Sequence, residues 1–207
     1  MDGLASTFVA QLRAFSPAEA VAVAAAIAYL LLAIRRNIWC WLFAALSTVI
    51  YVALFVRAKL YMESLLNVFY LGMAAYGWYA WRYGGGRDDA GLPVTKWPLP
   101  VHAAGLLAIA AGTATAGYGL DRWTDAAFPY ADSATTIAAI WTTFLVARKV
   151  LENWWYWLVI DSVSVYLYWS RDLPLTALLF VLYVALIPVG LAAWRRAWAE
   201  QQGAAAA

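Results

Sequence analysis

The run LPLTALLFVLYVALIPVGLAAW, residues 173–194, carries no charge over 22 residues and is bracketed by Arg171-Asp172 and Arg195-Arg196. A helix needs about 20 mostly apolar residues to cross the hydrocarbon core of a bilayer. The run therefore reads as a spanning helix with its polar ends in the two headgroup layers. Six further segments have the same character, roughly 17–34, 38–56, 61–81, 99–118, 133–148 and 153–170. Short polar breaks separate them: Arg35-Arg36-Asn37, Arg57-Ala58-Lys59, Gly84 to Asp89, Asp121-Arg122 through Asp132, and Arg148-Lys149. Segments this long and evenly apolar do not suit barrel strands, which leaves helices as the spanning element. The predicted fold is an all-α integral membrane protein with about seven transmembrane helices.

Composition points the same way. Hydrophobic residues make up 65% of the chain and charged residues 13%, against about 45–50% and about 25% in soluble domains. Thirteen tryptophans and thirteen tyrosines supply amphipathic rings of the kind that gather at membrane interfaces. A net charge of +2 gives no basis for a nucleic-acid partner. Cys40 is the single cysteine, so no intrachain disulfide forms. Residues 1–16 lack the basic start and cleavage site of a signal peptide and read as a short interfacial segment. Lys and Arg on alternate sides of the spans number nine (Arg35, Arg36, Arg82, Arg87, Lys96, Arg148, Lys149, Arg195, Arg196) against five (Arg13, Arg57, Lys59, Arg122, Arg171). The positive-inside bias puts the C-terminus in the cytoplasm and the N-terminus outside.

The two ends of the chain resemble each other. Tyr70, Gly77, Trp81 and Arg82 recur as Tyr183, Gly190, Trp194 and Arg195 at one constant offset, and with a small gap Asn37 and Trp41 recur as Asn153 and Trp157. Residues 17–81 and 133–194 then form two three-helix copies. Residues 82–132 hold the loops and a linking fourth helix, and 195–207 form a cytoplasmic tail. The linker makes the copies parallel, a 3+1+3 arrangement used by some transporters. Small residues on the first and fourth helices (Ala22, Ala24, Ala25, Gly105, Ala110, Gly112) suit close packing, within one protomer or between protomers.

Polar groups at membrane depth mark the candidate site, because they are costly there without a cavity or partner. Asn153, Trp157, Asp161, Ser164 and Tyr168 share one face of the sixth helix, with Asp161 near mid-span. The stripe reads as a hydrated substrate pocket; a hydrogen-bonded helix–helix interface would use the same residue types. Glu63, Asn67, Tyr70, Trp78 and Trp81 form a weaker stripe on the third helix. Trp78 and Trp81 would equally serve as interface anchors. The hydroxyls of Ser47, Thr48, Thr135, Thr136, Thr142 and Thr143 are expected to bond back to their own backbones. His102 stands without a second histidine or a ligand spacing, so no metal site is expected. Gly84 to Gly86 lack the Lys-Ser or Lys-Thr of a phosphate-cradling loop and read as a flexible loop. No cofactor is implied.

Three stretches carry a family resemblance. Ser64 to Tyr70, continuing through Tyr76-Gly77-Trp78-Tyr79-Ala80-Trp81, resembles the third-helix signature of the PnuC family. Arg148-Lys149-Val150-Leu151-Glu152-Asn153-Trp154, with Trp157 and Ser164 beyond, resembles its sixth-helix region, and Asp125 to Ser133 the lead into its fifth helix. The resemblance implies a SWEET-like 3+1+3 bundle in the bacterial inner membrane, assembled as a homotrimer. It implies uptake of nicotinamide riboside, an NAD precursor, by facilitated diffusion, with a cytoplasmic kinase trapping the vitamin. Family members often carry Gln at the position of Asn67 and Asn at that of Asp161. An ionised Asp offers only acceptors and suits an amino group or cationic ring, which keeps thiamine open as the substrate.

The expected site is one aromatic-lined pocket between the two copies. Trp157 and Trp78 stack on the heteroaromatic ring, Asp161, Asn153 and Asn67 bond its polar edge, and Tyr70, Ser164 and Tyr168 complete the lining. Gly77, Pro174, Pro188 and Gly190 are expected flex points. An intramembrane enzyme would need a nucleophile–base pair or a metal cluster at membrane depth, and a purely structural bundle would leave the polar stripe without a use.

Overall fold

The computed structural model describes residues 16–57, 61–85, 91–171 and 173–206, without the side chains of residues 61–63, 205 and 206. The readings of residues 1–15, of the Glu63 side chain and of the loop from Gly86 to Ala90 lie outside these. Among the described residues there are seven α-helices: α1 (Pro17–Ile34), α2 (Cys40–Arg57), α3 (Tyr61–Tyr83), α4 (Leu99–Trp123), α5 (Pro129–Ala147), α6 (Asn153–Trp169) and α7 (Pro174–Ala206). Four of them, α1, α2, α4 and α7, are long and apolar enough by themselves to cross a membrane.

Local chemistry sets the ends. Ser16 and Glu19 form a reciprocal capping box at the start of α1, with Ser16 Oγ accepting from the Glu19 N–H at 3.2 Å and Glu19 Oε2 accepting from the Ser16 N–H at 2.7 Å. Pro17, Pro100, Pro129 and Pro174 stand in first turns, where the missing N–H costs nothing. The helix α1 stops in a Schellman motif: Arg36 adopts φ 56°, its N–H bonds Ala33 O and the Asn37 N–H bonds Leu32 O, both at 2.9 Å. The stop of α5 repeats this, with Lys149 at φ 49° and the Val150 N–H on Leu145 O at 2.9 Å.

Three helix limits depart from the sequence expectation. The helix α5 begins at Pro129 rather than near 133, because proline opens the turn and Asp132 favours the positive end of the helix dipole. The helix α4 continues to Trp123, so Asp121 and Arg122 form its exposed last turn rather than a break. The segment from Arg195 to Ala206 is the helical continuation of α7, built mainly from Ala, Arg, Glu and Gln, which are strong helix formers.

The chain divides into two compact units. Among the described residues one comprises Thr95–Val146 and Val150–Pro188, and the other the remainder, so the change falls within α7 at Pro188. In the first unit, glycines of α4 receive side chains of α5: Gly105 meets the Trp141 ring, Gly112 meets Ile137 and Gly117 meets Tyr130. The small residues Gly105 and Gly112 thus pack within the protomer, while Ala110 is exposed. Leu151 N–H bonds Thr95 O at 2.8 Å, and Arg171 pairs with Asp132 while lying over the Phe128 ring.

In the second unit, Ser47 of α2 donates to Ala22 O of α1 at 2.9 Å. Trp41 lies against Gly77 of α3, with Trp81 edge-on at 5.5 Å. Trp81 is buried with Trp194, whose Nε1 donates to Ala33 O at 3.0 Å; it is a packing residue there, not an interface anchor. The Arg36 Nη1 donates to Ala193 O at 2.9 Å. Lys149 Nζ donates to Leu92 O at 2.9 Å and sits 4.4 Å from the Trp81 ring centre.

Candidate functional site

The α6 stripe is the most distinctive polar feature of the first unit. Asp161 and Ser164 are each only 5% exposed, and on a helix they stand one turn apart on one face. Among the described residues neither has a hydrogen-bond or ion-pair partner. The contrast with the other buried hydroxyls is sharp. Ser47 and Ser64 bond carbonyls of a neighbouring helix, and Ser133, Thr142 and Thr143 bond the carbonyl one turn back on their own. Ser164 alone of these keeps its donor and its acceptor uncommitted. Trp157, one turn before Asp161, is half-buried and makes no ring contact with another described aromatic.

The ends of the stripe are committed elsewhere. Asn153 is completely buried, and its Nδ2 donates to Val150 O at 2.7 Å, closing the turn that leads into α6. Its Oδ1 is buried without a partner among the described residues. Tyr168 stacks on Phe180 of α7 at 5.2 Å, and Phe180 meets Tyr183 edge-on at 5.6 Å. A carboxyl group beside a hydroxyl, flanked by a tryptophan face, can bind a ligand edge that forms hydrogen bonds and carries a flat ring.

On α3, in the second unit, Asn67, Tyr70 and Trp78 are half-buried. Trp78 meets Trp39 edge-on at 5.4 Å, and Tyr70 meets Phe69 at 5.8 Å. Gly77 and Gly190 are buried, Pro188 lies inside α7 and Pro174 in its first turn. A Cβ on Gly77 would fall 2.3 Å from the Trp41 ring, so close packing alone requires glycine there.

Two features escaped the sequence reading. A cavity of about 360 Å³ lies on the neighbouring flank of α6, among Leu106 and Ile109 of α4, Ala138 of α5, and Trp155, Val159 and Val163. Its wall is almost wholly apolar, so it offers nothing to a polar heterocycle. The other is a cluster of His102, Glu152 and Tyr156, with the imidazole Nδ1 3.1 Å from the Tyr156 hydroxyl. No periodicity marks it as a cluster, because His102 comes from α4 while Glu152 and Tyr156, one turn apart, come from the start of α6. Among the described residues no group of His, Cys, Asp and Glu could hold a metal ion.

Comparison with known proteins adds independent findings. The family model described as nicotinamide mononucleotide transporter matches residues 16–196. The nicotinamide riboside transporter PnuC of Escherichia coli is 26% identical over 200 residues, covering 85% of this chain and 84% of that protein. The riboflavin/roseoflavin transporter RibM of Streptomyces davaonensis is 25% identical over 167 residues, covering 80% and 78%. A crystal structure of the vitamin B3 transporter PnuC superposes with a TM-score of 0.70 at 21% identity, covering 95% of this chain and 88% of that one. The likeness extends to an all-α membrane bundle of seven helices.

Proposed function

Because the chain belongs to the nicotinamide mononucleotide transporter family, we propose that it is a multi-pass inner-membrane transporter that takes up nicotinamide riboside. Two relatives named as nicotinamide riboside transporters, from Escherichia coli and Shigella flexneri, support the choice, and the riboflavin relative marks the alternative vitamins. The observation that carries the site is the buried Asp161–Ser164 step, which has no protein partner among the described residues. Asp161 and Ser164 accept and share hydrogen bonds with the ligand's donors, and Trp157 stacks on its cationic ring, where cation–π attraction adds about 1–2 kcal/mol in a dry site. On α3, Asn67, Tyr70 and Trp78 contribute further substrate contacts. Asn153 holds the turn at the start of α6 and offers its carbonyl oxygen.

The architecture we infer is a 3+1+3 parallel repeat of the SWEET type. Arg36 and Lys149, the two left-handed residues that end α1 and α5, stand at the same offset as Tyr70 and Tyr183. That register needs no gap. It matches Trp41 with Trp154, both 2% exposed, rather than with Trp157. It also sets Asp161 against Thr48, whose hydroxyl bonds back to Ala44 O and Ala45 O, so the carboxyl has no counterpart in the first copy. Pro188 and Gly190 serve as flex points in α7. The C-terminus is cytoplasmic, the assembly is a homotrimer, and a cytoplasmic kinase traps the product of facilitated diffusion.

The test is a titration of the purified protein with nicotinamide riboside and with thiamine, read by tryptophan fluorescence, on wild type and Asp161→Ala. Nicotinamide riboside binds more tightly to the wild type, and Asp161→Ala loses that binding while expressing normally. Thiamine binding at least tenfold tighter, about 1.4 kcal/mol, would overturn the substrate; unchanged binding in Asp161→Ala would overturn the site. The same variants of Asn67 and Trp78 decide the α3 contribution separately.

A further inference from the structure

His102 is the only histidine in the chain and lies buried in the first turn of α4. Its Nδ1 is 3.1 Å from the Tyr156 hydroxyl, and the two rings are 5.8 Å apart. Its Nε2 is buried without a hydrogen bond and stands 3.8 Å from Glu152 Oε2, just beyond bonding distance. Glu152 occupies the N-cap of α6, yet its side chain caps nothing there. Among the described residues its only other contact is a long 3.4 Å bond from the Trp97 N–H.

These distances describe a contact one proton short of completion. A neutral imidazole has one donor and one acceptor, whereas a charged one donates from both nitrogens. In the charged form Tyr156 accepts from Nδ1, and Nε2 needs an acceptor that, among the described residues, only Glu152 stands ready to supply. Charge-assisted bonds of this kind close to about 2.8 Å, which moves the start of α6 by about 1 Å. The charged and titratable groups facing His102 are Glu152 at the start of α6 and Tyr156 within it. Lys96, in the segment before α4, is exposed. From α5 the neighbour is Trp141, packed on Gly105 one turn along α4, and it does not titrate.

We propose that His102 is a proton-binding positioning residue that draws the start of α6, and with it the Asp161–Ser164 face, toward α4 when its imidazole is charged. The link to transport rests on the α6 reading given above; the protonation contact does not. The contact needs a proton on both ring nitrogens, so it forms in acid and is lost in base.

The experiment follows thermal unfolding of the purified protein by tryptophan fluorescence at about pH 5.5 and about pH 8, together with the pH profile of nicotinamide riboside uptake in proteoliposomes. Wild type, His102→Gln and Glu152→Gln are compared; Glu152→Gln keeps the side chain's size and carries the test if His102→Gln does not fold. Wild type gains about 2–4 °C at the acid pH relative to each variant, and the uptake profile flattens in both. Retention of the full acid increment in the variants overturns the proposal. An uptake profile that stays unchanged while the increment disappears overturns the link to transport. Absence of uptake in wild type counts against the substrate reading alone, because the melting series contains no substrate.

Discussion

Lys149 shows how one residue can be structurally required and electrostatically costly. Its left-handed backbone ends α5, which directs its side chain to Leu92 O and the Trp81 ring. Burial first, and the Arg36 charge second, push its ammonium down from 10.5 to about 8, with Cys40 acting weakly in the opposite sense. Below about pH 8 both folded and unfolded chains hold the proton, and the folded state bears the full cost of burying it. Between about 8 and 10.5 only the unfolded chain keeps the proton, so stability rises with pH across that window. The full shift corresponds to about 3 kcal/mol. Lys149→Met abolishes this dependence: unfolding transitions of wild type and variant, compared from about pH 7.5 to 10, converge or cross as the wild type gains. Parallel transitions throughout would show that the lysine is not buried as a charge.

At the scale of the element, α3 carries two glycines with opposite consequences. A Cβ at Gly77 falls 2.3 Å from the Trp41 ring, and that ring is held by Tyr29 at 6.0 Å and Trp81 at 5.5 Å. Gly77→Ala therefore forces the indole off its packing and costs about 1–3 kcal/mol. Gly72 has nothing within 4 Å of the same added atom, so Gly72→Ala keeps only the gain in helix propensity, about 0.5–1 kcal/mol. Melting temperatures of the two variants move in opposite directions from wild type; movement in the same direction sinks the packing account. Length and charge made all seven helices legible in the sequence, because bilayer thickness acts on every span alike. Their ends were less legible, since hydropathy locates the apolar part while Pro129 and the Ala-rich run after Trp194 decide where hydrogen bonding starts and stops. The α6 stripe was legible from its period. That Ser164 is uncommitted while Thr142 and Thr143 bond backward was not, because rotamer and neighbour decide it. The His102–Glu152–Tyr156 cluster was invisible because no local pattern joins His102 on α4 to Glu152 and Tyr156 at the start of α6.

For the molecule as a whole, seven spanning helices would put the start of α1 and the end of α7 on opposite sides of the membrane, and charge would select which side. The stops of α1 and α5 both carry a basic pair, Arg35-Arg36 and Arg148-Lys149, and α7 leaves the apolar run through Arg195-Arg196. All three belong to the same side under alternation, where a negative-inside potential and anionic headgroups hold cations. The opposite side has only scattered cations, and one of those, Arg171, is paired with Asp132. The single native cysteine is completely buried, so one introduced cysteine reports its own side without interference. Ala127→Cys lies in the exposed connection between α4 and α5, and Gly203→Cys in the exposed end of α7. With a membrane-impermeant maleimide, Ala127→Cys labels in intact cells, whereas Gly203→Cys labels only after permeabilisation. The reverse pattern would place the basic ends outside and overturn the cytoplasmic assignment of the C-terminal end.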